Sequence, residues 1–222
     1  MVPSLRARPQ QAERVSPPTP AAADAYTRRR QSPRTGRMAL KSTIYKAELQ
    51  ISDMDRHYYA THALTLAQHP SETEERLMVR LLAFALYADD ALEFGRGLSS
   101  DDEPDLWRKS LSGEIDLWID LGQPDEARIR KACGRAREVV VVNYGGRGSD
   151  IWWDKHRGAL ARIGNLTVLD IGSATVAALG ALANRTMRLQ CMVQDDQFEL
   201  YGEGVALTVE SSVRMAPAAR AH

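Results

Sequence analysis

Ile115-Asp116-Leu117-Trp118-Ile119-Asp120-Leu121 runs directly into Gly122-Gln123-Pro124. Ile115, Leu117, Ile119 and Leu121 alternate with Asp116, Trp118 and Asp120, the period of a half-buried strand. Pro124 suits the first position of a helix, and Ile129, Ala132, Cys133 and Ala136 supply a buried line over 124–136. The run from Val139 to Val142 is β-branched throughout, as expected of a strand covered on both faces. Strand, crossover helix and buried strand together read as a parallel βαβ unit, and the fold class is α/β.

The same pattern continues outward in both directions. A helix over 149–162, a strand over 166–171 and a helix over 173–183 follow the unit. A three-stranded meander is expected at 186–193, 197–201 and 205–213, with turns at Asp195-Asp196 and Gly202 to Gly204. Upstream, 43–51 and 58–67 alternate as a hairpin. Ser71 is the expected N-cap of the next helix, with Glu74 closing a capping box. Leu77, Met78, Leu81, Leu82, Phe84 and Ala85 give that helix a broad apolar stripe. A short strand at 92–96 and a loop or short helix at 100–109 complete the order. The expectation is one domain with a mixed central sheet, flanking helices, an N-terminal hairpin and a C-terminal β-meander.

The first 37 residues differ from the rest. They hold six of the ten prolines and carry a net charge of +6, which leaves −6 over 38–222. So few large apolar side chains cannot offset the entropy of ordering, and the stretch is expected to be disordered. Three readings fit it: an organelle leader, a basic arm for nucleic acid, or sequence ahead of a true start at Met38. The 222 residues are 44% hydrophobic and 26% charged, ordinary for a globular protein. No apolar run approaches the roughly 20 residues of a membrane helix. Two distant cysteines, Cys133 and Cys191, suggest a reduced, cytoplasmic protein.

Enzyme signatures such as a phosphate loop, GxSxG, HExxH or CxxC are missing. Carboxylates carry the chemical signal. Asp120 lies near the C-terminal end of an apolar strand, where α/β sheets build sites. An acid there needs a partner, and an arginine serves as well as a metal. Asp116 shares its face, but at about 13 Å along the strand it cannot chelate with Asp120. Asp101, Asp102 and Glu103 on the preceding loop are the next acids, and Glu74 lies beside the buried stripe of its helix. Two or three such acids would hold Mg²⁺, which could activate water against a phosphodiester. Each has a structural explanation too: Glu74 in a capping box, Asp101 and Asp102 as helix caps, and Arg128, Lys131 and Arg135 as a solvated helix face.

Several separated segments resemble the YaeQ family of bacterial proteins. They are 38–47 (MALKSTIYKA), 69–76 (HPSETEER) with 80–83 (RLLA), 94–99 (FGRGLS), 102–104 (DEP) and 118–125 (WIDLGQPD). The resemblance covers 38–213 and implies a compact PD-(D/E)xK restriction-endonuclease-like core. In that superfamily an acid on one strand and D/E-x-K on the next hold Mg²⁺. Asp120 matches the D/E position, but Gly122 stands where the lysine belongs. Lys131 on the following helix is the implied substitute, with Gln123 as a polar alternative. Asp102 or Glu103 matches the earlier acid, Asp116 under another register, and Glu74 or Glu75 the acid of the first helix. The implied function is Mg²⁺-dependent phosphodiester hydrolysis on nucleic acid. The alternative is a catalytically inactive relative that binds nucleic acid or a protein. A net charge of −6 over 38–222 favours weak binding or the alternative.

Overall fold

The computed structural model describes residues 42–96 and 102–217. The extension over 1–37, Asp101 and the start at Met38 lie outside the described residues. The described residues form two mixed sheets and four helices. The elements are β1 (Thr43–Asp53), β2 (Tyr58–Gln68), α1 (Glu74–Leu86), β3 (Leu92–Phe94), β4 (Leu106–Lys109), β5 (Ile115–Leu121), α2 (Glu126–Cys133), β6 (Ala136–Tyr144), α3 (Arg147–Leu160), β7 (Leu166–Ile171), α4 (Ser173–Ala181), β8 (Thr186–Gln194), β9 (Gln197–Gly202), β10 (Val205–Thr208) and β11 (Ser211–Met215).

One sheet has the order β10-β9-β8-β1-β2 and the other β11-β7-β6-β5-β4-β3. The expected hairpin and meander are therefore not appendages to one central sheet. They join through a parallel β1–β8 pairing, from Lys46↔Thr186 to Asp53↔Val193. That contact spans about 140 residues of chain, and no local pattern announces it. The last meander strand is also two strands. β10 stays with β9, while β11 pairs antiparallel with β7 of the other sheet.

β6 is the central strand of its parallel trio, paired to β5 and β7. Val140 and Val142 face the core shared with α1 and the first sheet, and Val139 and Val141 face the core under α2 and α3. Both faces are apolar because both are covered. α1 carries more than a stripe: every residue from Leu77 to Ala85 is buried, Arg80 included. A helix enclosed on all sides must be apolar all round, and any charge on it must find a partner. Its cap is Thr73, whose Oγ1 accepts from the Arg76 N–H at 3.2 Å, and not Ser71, which bonds His69. Glu74 is then the first helical residue and closes no capping box.

The segment read as a loop or short helix over 100–109 ends in β4. Its four residues pair with β5 from Leu106↔Ile119 to Lys109↔Ile115. Ahead of β4, the Gly95 N–H donates to the Asp105 carbonyl at 2.9 Å. A Cβ on Gly95 would run into the carbonyl oxygen of Pro104, which is backbone and cannot swing aside. Gly95→Ala should cost about 2–3 kcal/mol by forcing this strand apart, read as a lower urea midpoint at unchanged m-value.

Candidate functional site

The chain turns sharply where β5 ends. Gly122 has φ +86, a conformation that a side chain resists. A lysine in this place would be strained, so the departure from D/E-x-K is built into the backbone here. Gln123 follows and donates to Asn143 Oδ1 at 3.2 Å and to the Tyr144 carbonyl, tying β5 to the end of β6.

Asp120 is 2% exposed and faces α2. Its Oδ1 accepts from Arg128 Nη2 at 2.7 Å and its Oδ2 from Arg128 Nε at 2.9 Å, a two-pronged pair. α2 aims this arginine because Asp125 caps the helix by accepting from the Arg128 N–H at 2.8 Å. Arg128 Nη2 also donates to the Glu103 carbonyl at 2.9 Å. Burial pushes the Asp120 carboxyl above its ordinary value against the two Arg128 bonds, and the charge of Asp105 pushes the same way.

The other predicted residues take separate partners. Lys131 forms an ion pair with Asp102, and that ammonium holds the Asp102 carboxyl below the usual range. Arg135 donates to the Asp102 carbonyl at 3.1 Å and its guanidinium lies 5.3 Å from the Trp118 ring centre. Glu103 pairs with Arg96 at 3.6 Å. Asp116 pairs with Arg137 at 3.3 Å. Glu74 accepts from the Tyr45 hydroxyl at 3.2 Å, and Glu75 packs against Gly180 of α4. Arg128 thus links Asp120 to the Glu103 carbonyl and Lys131 holds Asp102, while the Glu103 carboxylate, Glu74 and Asp116 bond elsewhere.

A second buried network, absent from the sequence reading, lies on the α1 side of β5. Asp105 is 5% exposed. Its Oδ2 accepts from the Leu121 N–H at 2.9 Å, and its Oδ1 meets Arg76 Nη2 at 2.6 Å. Glu72 lies 3.9 Å from Arg76 and 3.3 Å from Arg80, and Arg80 donates to the Ala67 carbonyl at 3.1 Å. Two arginines and two acids balance in charge. The signal in the sequence was Arg80, a charge set inside the apolar run from Leu77 to Ala85.

Arg76 also reaches a cleft of about 390 Å³ at the C-terminal ends of β5 and β6, lined with Gln123, Tyr144, Gly145 and Gly148. The first turn of α3 opens beside it. Gly146 is its N-cap, with φ +57 and no side-chain cap bond. Among the described residues, no group of three or more His, Cys, Asp or Glu side chains could hold a metal ion. No helix there is long and apolar enough to cross a membrane.

Two mixed sheets around one enclosed helix, with an acid–arginine site at the end of a parallel strand, define an α/β class that other proteins share. The YaeQ protein family model matches residues 38–211, and the chain belongs to that family. It is 50% identical over 158 residues to the uncharacterized protein YaeQ of Salmonella typhi, covering 71% of this chain and 87% of the relative. The YaeQ of Escherichia coli (strain K12) is 49% identical over the same shares. The crystal structure of YaeQ from Xanthomonas axonopodis pv. citri aligns at TM-score 0.77 and 60% identity, over 79% of this chain and 99% of that one. That from Pseudomonas syringae aligns at 0.76 and 34% identity, over 79% and 97%.

Proposed function

We propose that this chain is a nuclease-fold protein that holds nucleic acid through its phosphates and leaves them uncut. The two-pronged Arg128–Asp120 pair carries the reading. The Arg128 guanidinium, bonded to both Asp120 oxygens, neutralises the carboxylate and repels a divalent cation brought up to it. Asp105 is committed in the same way, to Arg76 and the Leu121 N–H. Gly122 and the Lys131–Asp102 pair leave the lysine role of the superfamily unfilled beside Asp120. A phosphate in the Arg76 cleft would meet a guanidinium and the first turn of α3, groups suited to an anion. The acidic charge over 38–222 makes such binding local, weak and sensitive to salt. The two free thiols accord with a cytoplasmic location.

Mg²⁺-dependent hydrolysis is the second reading. The charge of Asp105 on Asp120 favours it, because a buried carboxyl raised by burial and a neighbouring acid is a mark of functional sites. Fluorescence anisotropy with a labelled single-stranded oligonucleotide separates the two. The first reading expects equal binding in EDTA and in Mg²⁺, loss of binding with salt, and an oligonucleotide recovered intact. Shortening that needs Mg²⁺ and disappears in Asp120→Asn would establish the second. Absence of binding under both conditions would contradict both readings and leave a protein partner.

A further inference from the structure

An exposed strand edge offers unpaired N–H and C=O groups to any other chain, and proteins usually guard it with short length, charge, proline or a bulge. Among the described residues, three of the four sheet edges are guarded. β3 has three residues with Glu93 among them, and β10 has four residues. β11 has five, carries Arg214, and breaks register between Val213 and Met215.

β2 is the exception. It is the outer strand of its sheet and eleven residues long. Its sequence, YYATHALTLAQ, contains no Asp, Glu, Lys, Arg or Pro. Its register with β1 is unbroken over all eleven pairs, from Thr43↔Gln68 to Asp53↔Tyr58. Among the described residues, only its far end is occupied: Arg80 takes the Ala67 carbonyl, and the Gln68 side chain donates to the Glu72 carbonyl at 3.0 Å. Along the core side of the edge, Tyr58, His62 and Leu64 are only half-buried. Tyr59 on the other side is 63% exposed.

From this we infer that β2 pairs with β2 of a second copy of the chain, antiparallel about a two-fold axis at Ala63. Such an interface must complement itself, because residue i of one copy meets residue 126 − i of the other. The sequence meets that condition. Ala63 faces itself, the smallest side chain at the most crowded point. Thr61 faces Thr65, a favourable cross-strand pair. His62 faces Leu64 and Ala60 faces Leu66, and the pairing ends there because Arg80 already takes the Ala67 carbonyl. No two like charges oppose, because the strand carries none. The pairing satisfies the open edge groups and covers the half-buried seam of His62 and Leu64. A charged ligand would find nothing on this strand to pair with, which argues for an uncharged partner strand such as β2 itself.

Light scattering coupled to size-exclusion chromatography of the full chain, over a concentration series, tests this. The expected mass rises with concentration towards twice the 24.6 kDa of one chain. Ala63→Lys sets two ammonium groups against each other at the axis and should weaken the dimer by about tenfold or more. The Ala63 side chain is exposed, so the melting temperature of the diluted variant should hold. Ala63→Cys should cross-link through position 63 on oxidation, since facing Cα atoms at about 4.5–5.5 Å suit a disulfide, and the wild-type chain should not cross-link. A wild-type chain that stays monomeric throughout, as it would if its own residues 1–37 covered the edge, overturns the proposal. So does a dimer that Ala63→Lys leaves intact.

Discussion

Asp105→Ala should be among the most damaging single changes in this protein, lowering its stability by about 3–5 kcal/mol. Arg76 and Asp105 have side chains only 13% and 6% exposed, so removing the acid strands a buried guanidinium. Glu72 would then face both Arg76 and Arg80 alone. The Leu121 N–H at the end of β5 would lose its acceptor as well. Asp105→Asn separates these losses. Its amide oxygen can still accept from Leu121, so it should cost less than alanine by about 1 kcal/mol, the worth of a hydrogen bond. Urea denaturation followed by circular dichroism reads both variants. Equal stability of wild type and Asp105→Ala would mean that the Arg76–Asp105 pair holds nothing together.

Asp120→Asn should lower stability by about 1–3 kcal/mol. The opposite sign is expected of a metal-ready acid, where removing a charge relieves repulsion. Burial already disfavours the ionised Asp120 carboxyl, which works towards tolerance of a neutral replacement. The loss comes instead from geometry at the Arg128 fork, which a single acceptor oxygen cannot fill. Asparagine offers one oxygen to two guanidinium donors and turns its own N–H groups towards the other prong. The Arg128 side chain is 26% exposed and can recover some water, which keeps the loss below that of Asp105→Ala. Thermal melting of both proteins at neutral pH, without divalent ions, gives the sign directly.

Legibility followed the range of each interaction. β5, β6, β7 and α1 were readable because period and branching report how many faces of an element are covered. β4 was not, because its four residues become a strand only by pairing with β5. The two-sheet division was hidden for the same reason, since β1 finds β8 far along the chain. In the site, Asp120 was legible as a buried acid in want of a partner. Its partner was ambiguous, because Arg128 and Lys131 lie three residues apart on one side of α2 and only the placement of 102–105 assigns them. Asp105 carries no local signal, because its partners Arg76 and the Leu121 N–H lie 29 and 16 residues away along the chain. Glu72 is masked in the sequence by Ser71 and Glu74, which fit a capping pattern that the backbone does not adopt.

The most direct test of the account is the melting temperature of the wild-type chain with and without millimolar Mg²⁺. A ligand that binds only the folded state raises it by mass action. With Asp120 and Asp105 held by Arg128 and Arg76, the account predicts the same melting temperature in both buffers, and a lower one for Asp120→Asn in each. A rise with Mg²⁺ that vanishes in Asp120→Asn would contradict it.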